Sequence, residues 1–143
     1  MGIDVWIKIL VGIMLCICGI KDMRTKTVPL YIIGITAVIL CISLPFAGKI
    51  VIIDIIGGIF PGVLLLIVSK VSRGQIGMGD GMVFCVTGIG LGMWLNIWLL
   101  IYSLLLAAVF GLFLIIVKRA GKKRAIPFMP FVFIAYIGVI VLC

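Results

Sequence analysis

The sequence contains no histidine and no glutamate, and its only acidic residues are four aspartates. Its five cysteines include no CxxC pair, so neither histidines nor paired thiolates are available to build a zinc site. Four of these cysteines lie inside apolar segments, and the fifth is the last residue. We interpret them as small packing residues, and we predict neither disulfides nor a metal site.

Polar segments are also scarce. Apolar residues make up 66% of the chain and the mean hydropathy is +1.54, which excludes a soluble globular domain, whose apolar share is nearer ~45–50%. At ~20 residues per membrane span, the 143 residues suffice for six helices with short loops. We therefore predict an all-α integral membrane protein, a single domain over residues 1–143 built as a six-transmembrane-helix bundle. The first apolar run has no basic region before it and no small-residue cleavage site after it, so it is not expected to be a cleavable signal peptide.

Breaks in the hydropathy pattern predict where the six helices lie. Their expected limits are about residues 3–21, 30–46, 49–69, 80–93, 95–117 and 126–143. Pro61 predicts a kink in the third helix. Glycine at every second position from 88 to 92 predicts that the fourth helix packs tightly inside the bundle.

Most of the net charge of +8 is concentrated in alternate loops. Three, two and five of the twelve basic residues lie in segments 21–26, 70–73 and 118–124. Because short cytoplasmic loops are enriched in lysine and arginine, we predict that these segments are cytoplasmic and that both termini lie outside. Anionic lipid headgroups are sufficient partners for this charge, so no nucleic acid partner is expected. The external interface is marked by Trp6, Trp94 and Trp98.

Two of the four aspartates fall at the cytoplasmic ends of predicted helices. Asp22 closes the first helix, and Asp80 opens the fourth within the stretch Gly77-Met78-Gly79-Asp80. Carboxylates at the edge of hydrocarbon are costly, and they are rare unless they are paired or functional. Two aspartates that share one proton and one water can hydrolyse an amide, because the ionised group accepts a proton from the water while the protonated group polarises the carbonyl. Without a third ligand, the same pair makes a poor metal cage, and no cofactor is expected.

The glycines around Asp80 support the same hypothesis. Gly77, Gly79 and Gly81 lack side chains that would keep an extended peptide from the carboxylate, so we assign Gly77 and Gly79 to substrate binding. Helix dipoles favour an ionised Asp80, at the start of its helix, and a protonated Asp22, at the end of its helix. The dipoles thus favour Asp80 as the base and Asp22 as the acid, while Lys21 and Arg24 act in the opposite direction by favouring an ionised Asp22. The alternative is that both are interfacial aspartates that pair with Lys21, Arg24 or Arg73.

Three stretches of the chain together resemble the prepilin leader peptidases, a branch of the membrane-embedded GxGD aspartic peptidases. Residues 22–29 (Asp-Met-Arg-Thr-Lys-Thr-Val-Pro) resemble the first aspartate motif of that family, and residues 77–80 resemble its GxGD motif. Residues 126–131 (Ile-Pro-Phe-Met-Pro-Phe) resemble a late P-F-G-P-F element at the start of the last helix. The match in order, spacing and sidedness covers essentially the whole chain. It implies that Asp22 and Asp80 are the catalytic pair.

The resemblance also implies a substrate and a location. Members of the family remove a short basic leader from pilin-like or pseudopilin precursors, after a glycine on the cytoplasmic side of the precursor's hydrophobic helix. The implied location is the cell membrane of a bacterium or archaeon, the inner membrane where there are two. Pro127 and Pro130 would lie beside the cleft and contribute to substrate binding, or, as the alternative, would only start the last helix. The chain lacks the N-terminal segment with paired CxxC motifs that accompanies N-methylation in longer members, so cleavage alone is expected.

Three positions depart from the family's pattern. Leu30 stands where Asn is common, Met82 where Lys is common, and Met129 where Gly is usual. The contribution of those groups to substrate positioning is therefore not carried over to this chain. Neither catalytic aspartate is affected.

Two other classes of function compete with peptidase activity. A small ion-coupled transporter or channel also uses broken, glycine-rich helices and intramembrane carboxylates, although its ion site would lie at the midplane rather than at one face. A purely structural membrane protein would leave the GxGD motif unexplained. Loss of a leader from a co-expressed pilin-like precursor would discriminate the peptidase from both.

Two charges on the external side have no part in this chemistry. Lys8 and Asp54 are each about five residues into their predicted helices, so they are expected at similar depth. Because an unpaired charge inside a span is costly, we predict an ion pair between them. The alternative is that Lys8 extends outward toward Asp4 while Asp54 reaches interfacial water.

Overall fold

The computed structural model describes residues 2–47, 52–72, 77–118 and 127–142. These residues form six α-helices and no strand. The helices are α1 (Gly2–Thr25), α2 (Leu30–Ser43), α3 (Ile52–Val71), α4 (Met78–Leu91), α5 (Met93–Lys118) and α6 (Met129–Leu142), and a short 3₁₀ turn, Pro45–Ala47, follows α2. The predicted all-helical fold with six helices is confirmed for this part of the chain.

The helix ends differ from the predicted ones for local reasons. α1 continues past residue 21 to Thr25, because the chain first leaves helical geometry at Lys26, which has a φ of 51°. α2 ends at Ser43. Leu44 still has helical geometry and bonds to the carbonyl of Leu40, but Pro45 has no N–H with which to continue the helix. α3 runs through the position of the predicted kink, with Pro61 buried inside it. The limits predicted at residues 49, 126 and 143 lie outside the described residues.

Two of the described helices, α3 and α5, are long and apolar enough to cross a membrane. Three further apolar helices, α2, α4 and α6, have 14 residues each. At 1.5 Å per residue, a helix of that length covers only about 21 Å, compared with ~30 Å of hydrocarbon in a bilayer. By length and composition, the structure thus contains two candidate membrane spans.

The centre of the bundle is α4, which packs most extensively against α3. Gly58 of α3 and Gly88 of α4 approach so closely that a Cβ on either residue would overlap the main chain of the other. One turn further along α3, Gly62 lies in the same way against the main chain of Cys85. Half of α4 is buried, and its glycines make the close approach possible. The predicted interior position of the fourth helix is therefore confirmed.

A buried amide connects the three central helices. The side chain of Asn96 in α5 is fully buried, and its Nδ2 donates hydrogen bonds to the carbonyl oxygens of Gly58 (2.6 Å) and Phe84 (2.9 Å). Its Oδ1 accepts a hydrogen bond of 2.8 Å from the Thr87 hydroxyl. Each polar atom of this amide is thus paired in the interior, where an unpaired one would be costly.

Asn96→Ala is expected to destabilise the bundle. It leaves the buried Thr87 hydroxyl without its side-chain partner and removes two interhelical hydrogen bonds, a loss of roughly 1–3 kcal/mol for each buried group left unsatisfied. Thermal unfolding of the detergent-purified protein measures the effect. The matched control is Ser103→Ala in the same helix, since Ser103 is equally buried but bonds only to Leu100 of its own helix. An equal shift for the two variants would refute the interhelical function of Asn96.

Candidate active site

Asp22 lies in the last turn of α1, and a tight reversal of the chain follows it. Lys26 donates its main-chain N–H to the carbonyl oxygen of Asp22 (2.9 Å) in a left-handed conformation that costs a non-glycine residue roughly 1–2 kcal/mol. The Thr25 hydroxyl bonds to the carbonyl of Lys21 (2.9 Å) and also lies 2.9 Å from the Thr27 hydroxyl. The reversal directs the chain back along the bundle and places Val28 beside α4.

Asp80 is the third residue of α4. Gly77 precedes that helix in extended geometry, and its carbonyl accepts the N–H of Asp80 at 3.1 Å. Gly79 packs on Val28 so closely that a Cβ at Gly79 would lie 2.7 Å from the Val28 Cβ. The first aspartate motif and the GxGD motif are therefore in direct contact.

The third motif meets the first at the start of α6. The main-chain N–H of Met129 donates a hydrogen bond of 3.1 Å to Oδ2 of Asp22. Pro130 packs against α1, where a Cβ at Gly19 would be 3.6 Å from the Pro130 Cα. The Phe128 ring lies 6.4 Å, centroid to centroid, from that of Phe84 in α4. All three stretches that resemble the family motifs thus converge at one end of the bundle, here called the aspartate end.

Both carboxyl groups are nearly excluded from solvent. Asp22 is 6% exposed and Asp80 is 8% exposed, and the charge of Asp22 acts on the Asp80 carboxyl. Burial and mutual repulsion both oppose a doubly ionised pair. A pair that holds one proton between two carboxyls is the arrangement that two-aspartate hydrolysis requires.

The alternative of simple interfacial ion pairs is not supported for the described cations. The Nζ of Lys21 donates to the Tyr31 hydroxyl at 3.0 Å and lies 4.9 Å from the centroid of that ring. Among the described residues, no ion pair joins Asp22 to Lys21 or Arg24, and the Asp22 carboxyl instead accepts a hydrogen bond from the main-chain N–H of Met129. The third candidate partner, Arg73, lies outside the described residues.

The structure gives two of the three glycines near Asp80 a packing function that the sequence did not predict. Gly79 lies against Val28, and a Cβ at Gly81 would come within 2.7 Å of the Leu66 side chain in α3. Gly77 differs, since the three described atoms nearest to a Cβ there all belong to the Asp80 carboxyl, the closest at 3.3 Å. Gly77 is therefore the glycine that leaves space beside the carboxyl group.

Two contributions to the site were missed from the sequence. A main-chain donor such as the Met129 N–H leaves no trace in residue type, although a helix that starts after Pro127 does offer free N–H groups. Val28 is one of many apolar residues in this chain, so its identity did not indicate that it would contact the GxGD motif. The helix N-terminus at Met129 also favours an anion at Asp22, so helix dipoles no longer distinguish Asp22 from Asp80 as the base.

The interpretation of the cysteines as small packing residues is confirmed only in part, because Cys16 and Cys85 are half-buried and Cys41 is exposed. Cys16, Cys18, Cys41 and Cys85 are free thiols in the structure. Cys18 is fully buried in the apolar core. Cys143 lies outside the described residues.

A cavity of about 280 Å³ lies at the opposite end of the bundle. Its walls include Asp4 and Lys8 from α1, Asp54 from α3, and Gly92 at the end of α4. Gly92 has a φ of 79°, a conformation that favours glycine and allows α5 to start immediately after α4. Lys8 and Asp54 thus share one cavity, as expected from their depth. The predicted pair is nevertheless wrong, because in this part of the chain no ion pair of 4.0 Å or less joins them.

Additive effects are therefore expected when both residues are changed. In a double-mutant cycle with Asp54→Asn and Lys8→Met, the coupling in the free energy of unfolding should stay within about 0.5 kcal/mol, as for residues without a shared contact. Thermal or denaturant unfolding of the four proteins measures it. A coupling above about 1 kcal/mol would show that the two side chains pair after all.

Comparison of the chain with models of known protein families, with curated proteins and with solved structures finds no match. The functional interpretation therefore depends on the three motifs and on the geometry of the aspartate end.

Proposed function

We propose that this chain is a membrane aspartic endopeptidase of the prepilin leader peptidase type. The observation that supports it most directly is the convergence of Asp22 and Asp80, two almost fully buried carboxyls from distant parts of the chain, at one end of the bundle. The Met129 N–H, which belongs to the third motif, bonds to one of the two. Carboxyls buried beside one another in this way are costly, which marks the aspartate end as a candidate functional site.

The proposed chemistry uses one water and one proton shared by the pair. The ionised aspartate accepts a proton from the water while the water oxygen attacks the scissile carbonyl carbon. At the same time, the protonated aspartate donates its proton to the carbonyl oxygen. The tetrahedral gem-diol intermediate then collapses. The C–N bond breaks, the departing amine takes the proton from the protonated aspartate, and one gem-diol hydroxyl gives its proton to the other aspartate as the carboxylic acid forms. The products are a carboxylic acid and an amine, and the pair returns to its singly protonated state.

The exposed surface supports a membrane location for this activity. The most apolar stretch of α5 is only 6% buried and that of α3 only 28%, whereas the core helix of a soluble protein is mostly buried. Large side chains such as Leu112 (60% exposed) and Ile116 (70% exposed) cover the outside of α5. We propose that all six helices span the cell membrane of a bacterium or archaeon, with the shorter α4 held mainly by its protein neighbours.

The proposed orientation follows from charge and aromatic residues at the two ends. Lys21, Arg24 and Lys26 lie at the aspartate end, while Trp6 and Trp94 are exposed on α1 and α5 near the opposite end. By the positive-inside rule the aspartate end faces the cytoplasm, where anionic headgroups suit its cations. A leader on the cytoplasmic side of a precursor's hydrophobic helix would then meet the carboxyl pair at the same depth.

Co-expression with a defined precursor tests the proposal. The probe is a membrane protein with a short basic leader that ends in glycine, followed by a hydrophobic helix of about 20 residues. The expected result is loss of the leader in cells that make the wild-type chain, and full-length probe in cells that make the Asp22→Asn/Asp80→Asn double variant. Full-length probe beside intact, inserted wild-type protein would contradict the proposal and favour a transporter, a channel or a structural protein.

A further inference from the structure

The contact between Met129 and Asp22 fixes one oxygen of the carboxyl group. A main-chain N–H can only donate, so Oδ2 of Asp22 acts as an acceptor in the 3.1 Å hydrogen bond. Met129 is fully buried and Asp22 nearly so, which limits competition from bulk water for this bond. Oδ1 is therefore the oxygen of this carboxyl better placed to carry a proton, since a protonated oxygen is the weaker acceptor for the Met129 N–H.

Met129 is the first helical residue of α6, and its N–H has no acceptor within that helix. The first intrahelical bonds of α6 run from Phe131 and Val132 to the carbonyl of Phe128, and Pro130 has no N–H to donate. One of the donors that every helix start leaves unpaired is thus satisfied by a side chain of α1. The positive end of the α6 dipole adds to the attraction for a carboxylate.

The donor is held in place by the packing of α6. Val132, Ala135 and Val139 are buried along its length, and the Tyr136 hydroxyl donates a hydrogen bond of 2.5 Å to the carbonyl oxygen of Lys8 in α1. Near the start of the helix, Pro130 lies against Gly19 of α1. The start of α6 and the end of α1 are therefore packed directly against each other.

We propose that the main-chain N–H of Met129 is a positioning group for Asp22, and this rests on the peptidase function proposed above. It holds Oδ2 as an acceptor and leaves Oδ1 as the oxygen that exchanges a proton with water. The segment Pro127–Pro130 then acts through Asp22 and need not touch the substrate. Because the positioning group is a main-chain N–H, Met129 supplies the same hydrogen-bond donor as the glycine that is usual at this position in the family.

The test removes this N–H without removing the residue. The α-hydroxy analogue of methionine at position 129 replaces the N–H by oxygen and keeps the side chain, and Met129→Pro removes the same donor at a first helical position, where proline is tolerated. Met129→Leu keeps the N–H. The matched control is the hydroxy-acid replacement at Ile134, an exposed position further along α6. Each protein is reconstituted in liposomes, and the rate of leader removal from the precursor probe is measured over a range of probe concentrations.

The ester at position 129 is expected to lower kcat on the order of 10- to 100-fold, as for a catalytic group that loses its alignment, with KM nearly unchanged. The Ile134 ester should cleave close to the wild-type rate, and Met129→Leu, which keeps the N–H, should retain far more activity than the ester at position 129. The inference would be overturned if the ester at position 129 has the wild-type kcat, or if its activity falls only in proportion to the amount of folded protein. This test does not depend on whether Met129→Pro folds. The proposed function fails separately, if Asp22→Asn and Asp80→Asn still cleave.

Discussion

Asp22→Asn and Asp80→Asn are each expected to lower the rate of leader removal on the order of 10⁴-fold or more, because catalytic groups that act as a unit lose most of their effect when one is changed. The double variant should be little worse than either single one. Asparagine keeps the size of aspartate and can still accept the Met129 N–H, so both variants should remain folded and inserted. Initial rates with purified protein in liposomes measure the effect.

The matched control for this pair is Asp54→Asn. It makes the same chemical change at the opposite end of the bundle, in a residue that lines the 280 Å³ cavity there, and it should leave the cleavage rate near that of the wild type. Substantial turnover by Asp22→Asn or Asp80→Asn would remove that residue from the catalytic pair. Losses of similar size in all three variants would point to a general effect on folding.

Gly88→Ala is expected to give the largest loss of stability. The new Cβ would overlap the carbonyl of Gly58, which is main chain in a packed helix and cannot rotate aside. Forcing α3 and α4 apart also stretches the hydrogen bond from Asn96 to that carbonyl, so the loss should exceed the roughly 1–3 kcal/mol typical of overpacking. The expected result is a sharply lower midpoint of thermal unfolding and poor recovery of inserted protein.

Gly34→Ala is the control for that substitution. Gly34 lies in α2, and a Cβ there would meet nothing within 4 Å. Because alanine is favoured over glycine in a helix interior by about 1 kcal/mol, this variant should be at least as stable as the wild type. A stable Gly88→Ala protein with an unchanged unfolding midpoint would show that α3 and α4 are further apart than the structure indicates.

The overall outline of the fold could be predicted from sequence because it depends on long-range composition. Six apolar runs, broken by basic or proline-containing turns, gave six helices with ends displaced by a few residues. Alternation of helix direction then placed Asp22 and Asp80 at one end. The glycines at 88 and 90 indicated an interior helix because only a lack of side chains permits such close approach.

The finer geometry of the site could not be predicted because it depends on main-chain groups and on single contacts. The N–H of Met129 would be present with almost any residue at that position. The left-handed conformation of Lys26 is unusual for lysine, so its identity gave no warning of the turn. The position of Val28 depends on its contact with Gly79, which is distant in the sequence.

Asn96, which was missed, and the Lys8–Asp54 ion pair, which was wrongly predicted, both depend on side-chain contacts between helices. The sequence does not specify such contacts. One asparagine in an apolar helix could have been a lipid-facing or loop residue, and its three hydrogen bonds depend on how α3 and α4 are placed. Equal depth correctly brought Lys8 and Asp54 to one cavity. Depth does not specify how the helices are rotated, and rotation decides whether two side chains meet.

The most direct test of the central claim is to identify the product of cleavage. Purified wild-type protein is reconstituted in liposomes with the precursor probe, and the masses of both fragments are measured. We predict a single cut after the glycine that ends the basic leader, on the cytoplasmic side of the probe's hydrophobic helix, and no cut with the Asp22→Asn/Asp80→Asn double variant. Intact probe in the presence of folded wild-type protein, or the same cut made by the double variant, would contradict it.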